Sequence, residues 1–467
     1  MFLAEKQPMK TFALAALIAF LTSSFAYADE LADKVDPLAR PYVESQTVVG
    51  MTIGILHQDQ TLVRGYGQIS AKDTSVPNGQ TVYEIGSISK VFTGILLADA
   101  MVAGRVSLVT PVDQLLPHGT RMPRREPSQP IRLWHLSTHT SGLPRLPDNL
   151  QPANPENPYA DYNEERLTQF LAKHQPRKRP GEAMAYSNLG VGLLGNLLAR
   201  ERQVDYETLL RQRITAPLDM ADTTIKLQSP QKARLAGPHV AGGSPSGNWD
   251  FDSLAGAGGI RSDMDDMLKF AQAQLHPPEG KLGTAIDLAW QIHQQPLNTN
   301  DFAKGLGWHV ARDGETRWHT GQTGGYHSAI FVNRQQNVAV VILANTATEE
   351  IDALAEQLVR MLVGVPEKPR QFPKLVEVPA EIMQRYVGQY QLAPGAVFTV
   401  TREDNKLLVG LTGQSTFRVF PRSETEWFYK VVDATLTFHL DKNGQCDSVV
   451  LFQNGIRQTA KRISSAD

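Results

Sequence analysis

Tyr83-Glu84-Ile85-Gly86-Ser87-Ile88-Ser89-Lys90-Val91-Phe92 decides how the rest of the chain is read. Downstream, Val91, Ile95, Leu96 and the run Ala98–Val102 fall at helical spacing, and Gly104 closes the pattern. Ser87 and Lys90 thus stand three apart at the start of a helix, on one face. That spacing sets an amine beside a hydroxyl, and a serine needs such a neighbour to become a nucleophile at neutral pH. The helix N-terminus adds N–H donors and partial positive charge where an oxyanion would form. An S-x-x-K match alone is weak, because Ser229-Pro230-Gln231-Lys232 matches too. The second match contains Pro230, has no long amphipathic helix behind it, and reads as a loop coincidence.

Working outward, Val48–Leu56 is a short β-branched run, and Gln60–Gly67 follows it after a turn as the second half of a hairpin. Thr208–Leu218 and Met264–Leu275 carry helical patterns, whereas Tyr326–Val332 and Val338–Leu343 are strand-like. Strands at both ends with helices between predict an α+β domain whose first hairpin pairs with its last strands. Pro366, Pro369, Pro373 and Pro379 then mark a stiff linker. Beyond it lie short alternating runs at Val397–Val400, Lys406–Leu411, Phe417–Phe420, Trp427–Val431, Thr435–Leu440 and Val449–Gln453. They predict a small antiparallel barrel or sandwich. The expected division is a leader over 1–28, the α+β domain over 29–365, a linker over 366–380 and the β domain over 381–467.

With 46 basic and 48 acidic side chains in 467 residues, the net charge is −2. A nucleic-acid reader needs a basic excess, so that class is excluded. A hydrophobic share of 41% is ample for a core and excludes a disordered acidic chain. Cys446 stands alone, so no intramolecular disulfide and no Cys-based zinc site can form. It reads as a small buried or half-buried residue. Lys10, the apolar stretch Phe12–Phe20 and Ala26-Tyr27-Ala28 together read as a secretory signal cleaved near Ala28. The apolar run is too short to span a bilayer. The expectation is an exported, periplasmic protein without a membrane span.

Two further patterns bear on chemistry. Tyr186-Ser187-Asn188 pairs a tyrosine, able to act as a general base if a lysine lowers its pKa, with an amide that can donate to a substrate carbonyl. His319-Thr320-Gly321 precedes Gln322-Thr323-Gly324-Gly325-Tyr326, and a glycine on a strand edge lets an extended substrate lie close. Each alone has a plain structural reading.

Taken in order, the three motifs resemble the serine hydrolase family that includes class C β-lactamases, D,D-peptidases and related esterases. The resemblance runs from about Pro41 to Asn345 and takes in the segments Leu136–Pro144, Pro217–Met220, Gly258–Ser262 with Asp266-Met267, and Gly305–Trp308. It implies an antiparallel sheet flanked by helices, an all-helical lobe, and a site in the cleft between them. It implies Ser87 as acylated nucleophile, Lys90 as its proton partner and Tyr186 as second member of the base pair. Asn188 would hold the substrate's side-chain amide, and Thr320 would contact a carboxylate. The N–H groups of Ser87 and Gln322 would form the oxyanion hole beside Gly321. The C-terminal part resembles a small lipocalin-like β-barrel, on Tyr386-Val387-Gly388-Gln389-Tyr390 and the strand spacing.

The family's β-lactamases usually carry lysine where this chain has His319. Histidine is mostly neutral near pH 7, so attraction for a substrate carboxylate is weaker or pH dependent. The implied activity is β-lactam amide hydrolysis. The alternatives are a D-alanyl-D-alanine carboxypeptidase/endopeptidase or other D-amino-acid peptidase, a carboxylesterase, and a penicillin-binding sensor. The implied partner is a small β-lactam, a D-alanyl peptide or a peptidoglycan fragment. No cofactor or metal is called for; His135 and His139, four apart, are a weak metal pattern. Arg177-Lys178-Arg179 reads as a solvated turn, while Trp308, Trp318 and Tyr326 fit either the cleft lining or the core.

Overall fold

The computed structural model describes residues 30–58, 60–122 and 129–464. The stretch 1–28, expected to be an export signal, lies outside the described residues. Helix α1 (30–44) leads into β1 (Gly50–His57) and β2 (Gln60–Gly67), which form the expected hairpin. Helices α2 (Ser89–Val102), α3 (Asn188–Glu201) and α4 (Met264–Leu275) follow. Then come β3 (His309–Val310), β4 (Arg317–Gln322), β5 (His327–Asn333), β6 (Val338–Ala344) and α5 (Glu350–Leu362). The antiparallel sheet has the order β2-β1-β6-β5-β4-β3. As expected, β1 pairs with the last long strand, from Met51 against Ala344 to His57 against Val338.

The period-2 geometry of β6 explains the layering. Val338, Val340, Ile342 and Ala344 face one core with Leu31, Val35, Leu38 and Tyr42 of α1 and Ile351, Leu354 and Leu358 of α5. Ala339, Val341 and Leu343 face the other, with α2, α3 and α4. A strand covered on both faces reads as a continuous apolar run, which is what Val338–Ala344 is.

Two local expectations change in the structure. The helix read over Thr208–Leu218 is α-helical at Tyr206–Leu210 and widens into a π turn at Arg211–Thr215. Ser229–Lys232 is one helical turn rather than a loop, because Pro230 is tolerated in a first turn. Its Ser and Lys are both exposed, so it carries no site. The C-terminal β domain, expected to be a small barrel or sandwich, is a closed eight-stranded barrel. Two of its strands, Gly388–Ala393 and Ile456–Ser464, pair with each other and close it. A short helix, Ala380–Tyr386, precedes the barrel and lays Met383 and Tyr386 into its core. Cys446 is buried in that core.

Candidate active site

Ser87 sits in a single 3₁₀ turn, Gly86–Ile88, that runs straight into α2. Gly86 has a φ of +49°, in the left-handed region that favours glycine. A Cβ on Gly86 would stand 2.7 Å from the Gln322 nitrogen. From the strand side, a Cβ on Gly321 would lie 2.1 Å from the Ile85 carbonyl oxygen and 2.8 Å from the Ser87 nitrogen. Two bare glycines therefore let β4 touch the Gly86–Ile88 turn, backbone to backbone. The Ser87 and Gln322 nitrogens meet at that contact. Ser328 Oγ donates to the Ile85 carbonyl at 2.8 Å and pins the turn to β5. Short β3 pairs only with Arg317 and Trp318, so β4 keeps an unpaired outer edge from His319 to Gln322.

Lys90 is fully buried, with Nζ 2.8 Å from Ser87 Oγ. The same nitrogen donates to the Ala257 carbonyl at 2.6 Å. Burial holds the Lys90 pKa well below the usual lysine range, and the Arg145 charge adds to the effect. A neutral amine that gives one N–H to Ala257 keeps its lone pair for the Ser87 proton.

Tyr186 precedes α3, whose N-cap is Ser187: the Ser187 hydroxyl accepts from the Gly190 N–H at 2.8 Å and donates to the Pro144 carbonyl at 2.6 Å. Lys90 Nζ lies 4.9 Å from the Tyr186 ring centroid, Arg145 Cζ 5.2 Å, and the His139 ring 4.4 Å. The lowering of Tyr186 expected from a lysine neighbour is not found. Burial pushes its pKa up to about 12, against the pull of Ser87 and Arg145. Tyr186 is a phenol, poised to give a proton. Asn188 opens α3, with Nδ2 3.4 Å from the Tyr159 hydroxyl and Oδ1 buried without a partner.

His319 Nδ1 lies 2.6 Å from the Thr320 carbonyl, an acceptor, so Nδ1 carries the proton. Nε2 is left as a bare, buried acceptor. Burial, helped by Lys90, holds the His319 pKa down to about 3. Behind it, Lys304 Nζ sits 2.7 Å from His309 Nδ1, and the His309 ring stands edge-on to His319 at 4.9 Å. Burial brings Lys304 to about 8.

Ser87, Lys90, Tyr186, Asn188, His319 and Gln322 therefore converge from three distant parts of the chain. His135 and His139 do not share a helix face, since His139 has a φ of +62° beyond the helix end. His135 Nδ1 accepts from the Arg132 N–H, and His139 Nδ1 from the Ser187 N–H. Trp308 and Tyr326 are core residues, and Trp318 is half-buried. Sequence reasoning missed Arg145, which immediately follows Leu136–Pro144 and would have been found by extending that segment by one residue. It also missed Lys304 and His309, which carry no local signal.

The Beta-lactamase family model matches residues 35–363. The chain belongs to the β-lactamase family. Within this family, a β-lactamase of Escherichia coli (strain K12) is 30% identical over 311 residues, covering 64% of this chain and 76% of that protein. The D-alanyl-D-alanine-carboxypeptidase/endopeptidase AmpH of the same organism is 29% identical over 327 residues, 67% of this chain and 83% of AmpH. A crystal structure titled β-lactamase/D-alanine carboxypeptidase, from Yersinia pestis and complexed with citrate, superposes with a TM-score of 0.61 at 27% identity. It covers 72% of this chain and 98% of its own. A domain family of unknown function, DUF3471, matches residues 373–462, the barrel. This β-lactamase-family chain is a serine hydrolase.

Proposed function

We propose that this β-lactamase-family hydrolase opens the amide bond of β-lactams through an acyl-enzyme on Ser87. The observation that carries the reading is the buried, depressed Lys90 amine 2.8 Å from Ser87 Oγ. Ser87 Oγ attacks the carbonyl carbon while its proton passes to Lys90. The N–H groups of Ser87 and Gln322 hold the oxyanion. Tyr186 delivers a proton to the leaving nitrogen as the C–N bond breaks, and the proton held by Lys90 passes to Tyr186, restoring both. Water then cleaves the ester, its hydroxyl going to the acyl carbon and its proton back to Ser87. Asn188, His319 and Thr320 line the path of the substrate, and the leader over 1–28 sends the enzyme to the periplasm.

A second reading, hydrolysis of D-alanyl peptides, is favoured by the similarity to AmpH. A histidine held near pKa 3 carries no charge at physiological pH, so His319 gives no ion pair to the carboxylate of either a β-lactam or a peptide terminus.

Timed intact mass after adding a penicillin tests both, with Ser87→Ala as control. An adduct on Ser87 that forms and vanishes as penicillin is consumed is the result expected of a β-lactamase. A persistent adduct points to the peptidase or a sensor, and its absence leaves an esterase. Lys90→Met slows adduct formation about a thousandfold if Lys90 is the base; an unchanged rate removes it from that role.

A further inference from the structure

We propose that Asp352, His327 and Gln322 form a positioning chain that holds the oxyanion-binding end of β4 against Ser87. The proposal rests on the Ser87 acyl-enzyme read above. Gln322 and His327 face each other as the last pair of the β4–β5 hairpin, immediately before the loop closed by the Thr323 N–H to the Tyr326 carbonyl. That end pair is where a hairpin frays first. Here a side-chain tie crosses it, with Gln322 Oε1 3.0 Å from His327 Nδ1. The other ring nitrogen, Nε2, lies 2.6 Å from Asp352 Oδ1 in the first turn of α5.

The chemistry of the three groups makes the chain continuous. The Asp352 carboxylate only accepts, so His327 Nε2 carries a proton. Neutral His327 then accepts at Nδ1 from the Gln322 amide NH₂; protonated His327 donates to the amide oxygen. A turn of the amide keeps the tie in either state. His327 is 3% exposed and Asp352 39%, so the link runs from a core imidazole to a carboxylate reachable by solvent. The Asp352 carboxylate also suits its place at a helix N-terminus.

The chain ends on the one residue whose placement matters most. The exposed Gln322 side chain belongs to a backbone nitrogen that meets the nucleophile turn at Gly86. An oxyanion donor works only when it is placed to within a fraction of an ångström, and a 1 Å error can cost about a hundredfold. Tying Gln322 through His327 to α5 fixes that placement from the face of the sheet opposite α2. Gln322, His327 and Asp352 act through the backbone, so they are positioning residues.

The test compares acylation rates for the full chain, Gln322→Ala, Asp352→Ala and the double variant, with penicillin as acyl donor. Both single sites are solvent-accessible, so the variants are chosen to keep the fold even where His327→Ala would lose it. Gln322→Ala keeps the backbone N–H, yet its acylation should slow about tenfold with KM within twofold of wild type. The double variant should be no slower than Gln322→Ala, because the chain is already cut. Wild-type acylation by Gln322→Ala, or rate losses that multiply in the double variant, would overturn the proposal. A fall in Tm with unchanged kcat would reduce His327 to packing and overturn it equally. If penicillin forms no adduct even on wild type, the β-lactam reading has failed, and the comparison is read on a p-nitrophenyl ester. If wild type acylates with neither, both fall.

Discussion

Lys90 and His319 show how burial assigns protonation states that residue type leaves open. Both lie in the same desolvated pocket, and both are pushed toward their neutral forms. For lysine the neutral form is the base. For His319 it is an uncharged ring with one bare acceptor. The signs fix a pH profile. Acid restores the proton to Lys90, so kcat/KM falls as pH drops through the depressed Lys90 pKa. His319, held near 3, and Tyr186, near 12, bracket the working range and add no limb between pH 5 and 9. His319→Asn should therefore change KM but keep the shape of the profile. A limb near pH 6 that disappears in His319→Asn would show that His319 does titrate. The motif made Ser87, Lys90 and Tyr186 legible, since their types and spacing state the chemistry. Their charges were not, because desolvation depends on atoms far away in the chain.

The nucleophile turn and β4 are short elements whose value lies in their contact. Gly321 has no side chain because Ile85 and Ser87 backbone atoms occupy that space. Backbone cannot swing aside as a flexible side chain can, so Gly321→Ala must part the strand from the turn. We expect acylation to drop about a hundredfold or more, the scale of losing one oxyanion donor, measured by stopped-flow adduct formation. Near-wild-type acylation would mean that the strand does not supply that donor. Several long elements were read from periodicity, namely the first hairpin, α2, α4 and the two last sheet strands, whereas the equally long helices α1, α3 and α5 were not. The π turn at Arg211–Thr215 and the helix Ala380–Tyr386 were not. Both are short, and tertiary packing outweighs propensity over so few residues.

The barrel is fastened to the hydrolase rather than tethered. The linker lays Phe372 against Tyr42 with ring centroids 4.9 Å apart, and Val376 N–H bonds to the Pro421 carbonyl. Lys430 donates to the Ser45 carbonyl. On the strand Phe417–Pro421, Val419 points into the barrel core while Phe420 points out, fully buried, toward Gly242. Arg418 and Lys430 flank its ring at 4.4 and 4.2 Å. From Gly242 the same loop runs to Ser246, which donates to the Gly324 carbonyl beside the β4–β5 turn, and to Trp249, packed on Gly324. The barrel thus buttresses a loop that walls the site. Phe420→Ala should remove about 3 kcal/mol at this junction and split a single calorimetric transition into two. One transition at an unchanged Tm would mean that the barrel is not coupled there.

From sequence alone came the family, the α+β domain followed by a small β domain, and the identity of Ser87, Lys90, Tyr186, Asn188, His319 and Gln322. The two-domain reading and the Ser87–Lys90 pair follow from local facts, namely residue type, spacing and the periods of helix and strand, whereas the parts given to Tyr186, Asn188, His319 and Gln322 follow from the family resemblance. Tertiary structure alone decided that burial pushes Lys90 and His319 toward their neutral forms and Tyr186 toward keeping its proton, and that Arg145, Lys304 and His309 crowd the same pocket. It also decided that Asp352 reaches β4 through His327. Charge state and support depend on which distant segments exclude water from a side chain, and no local pattern records that.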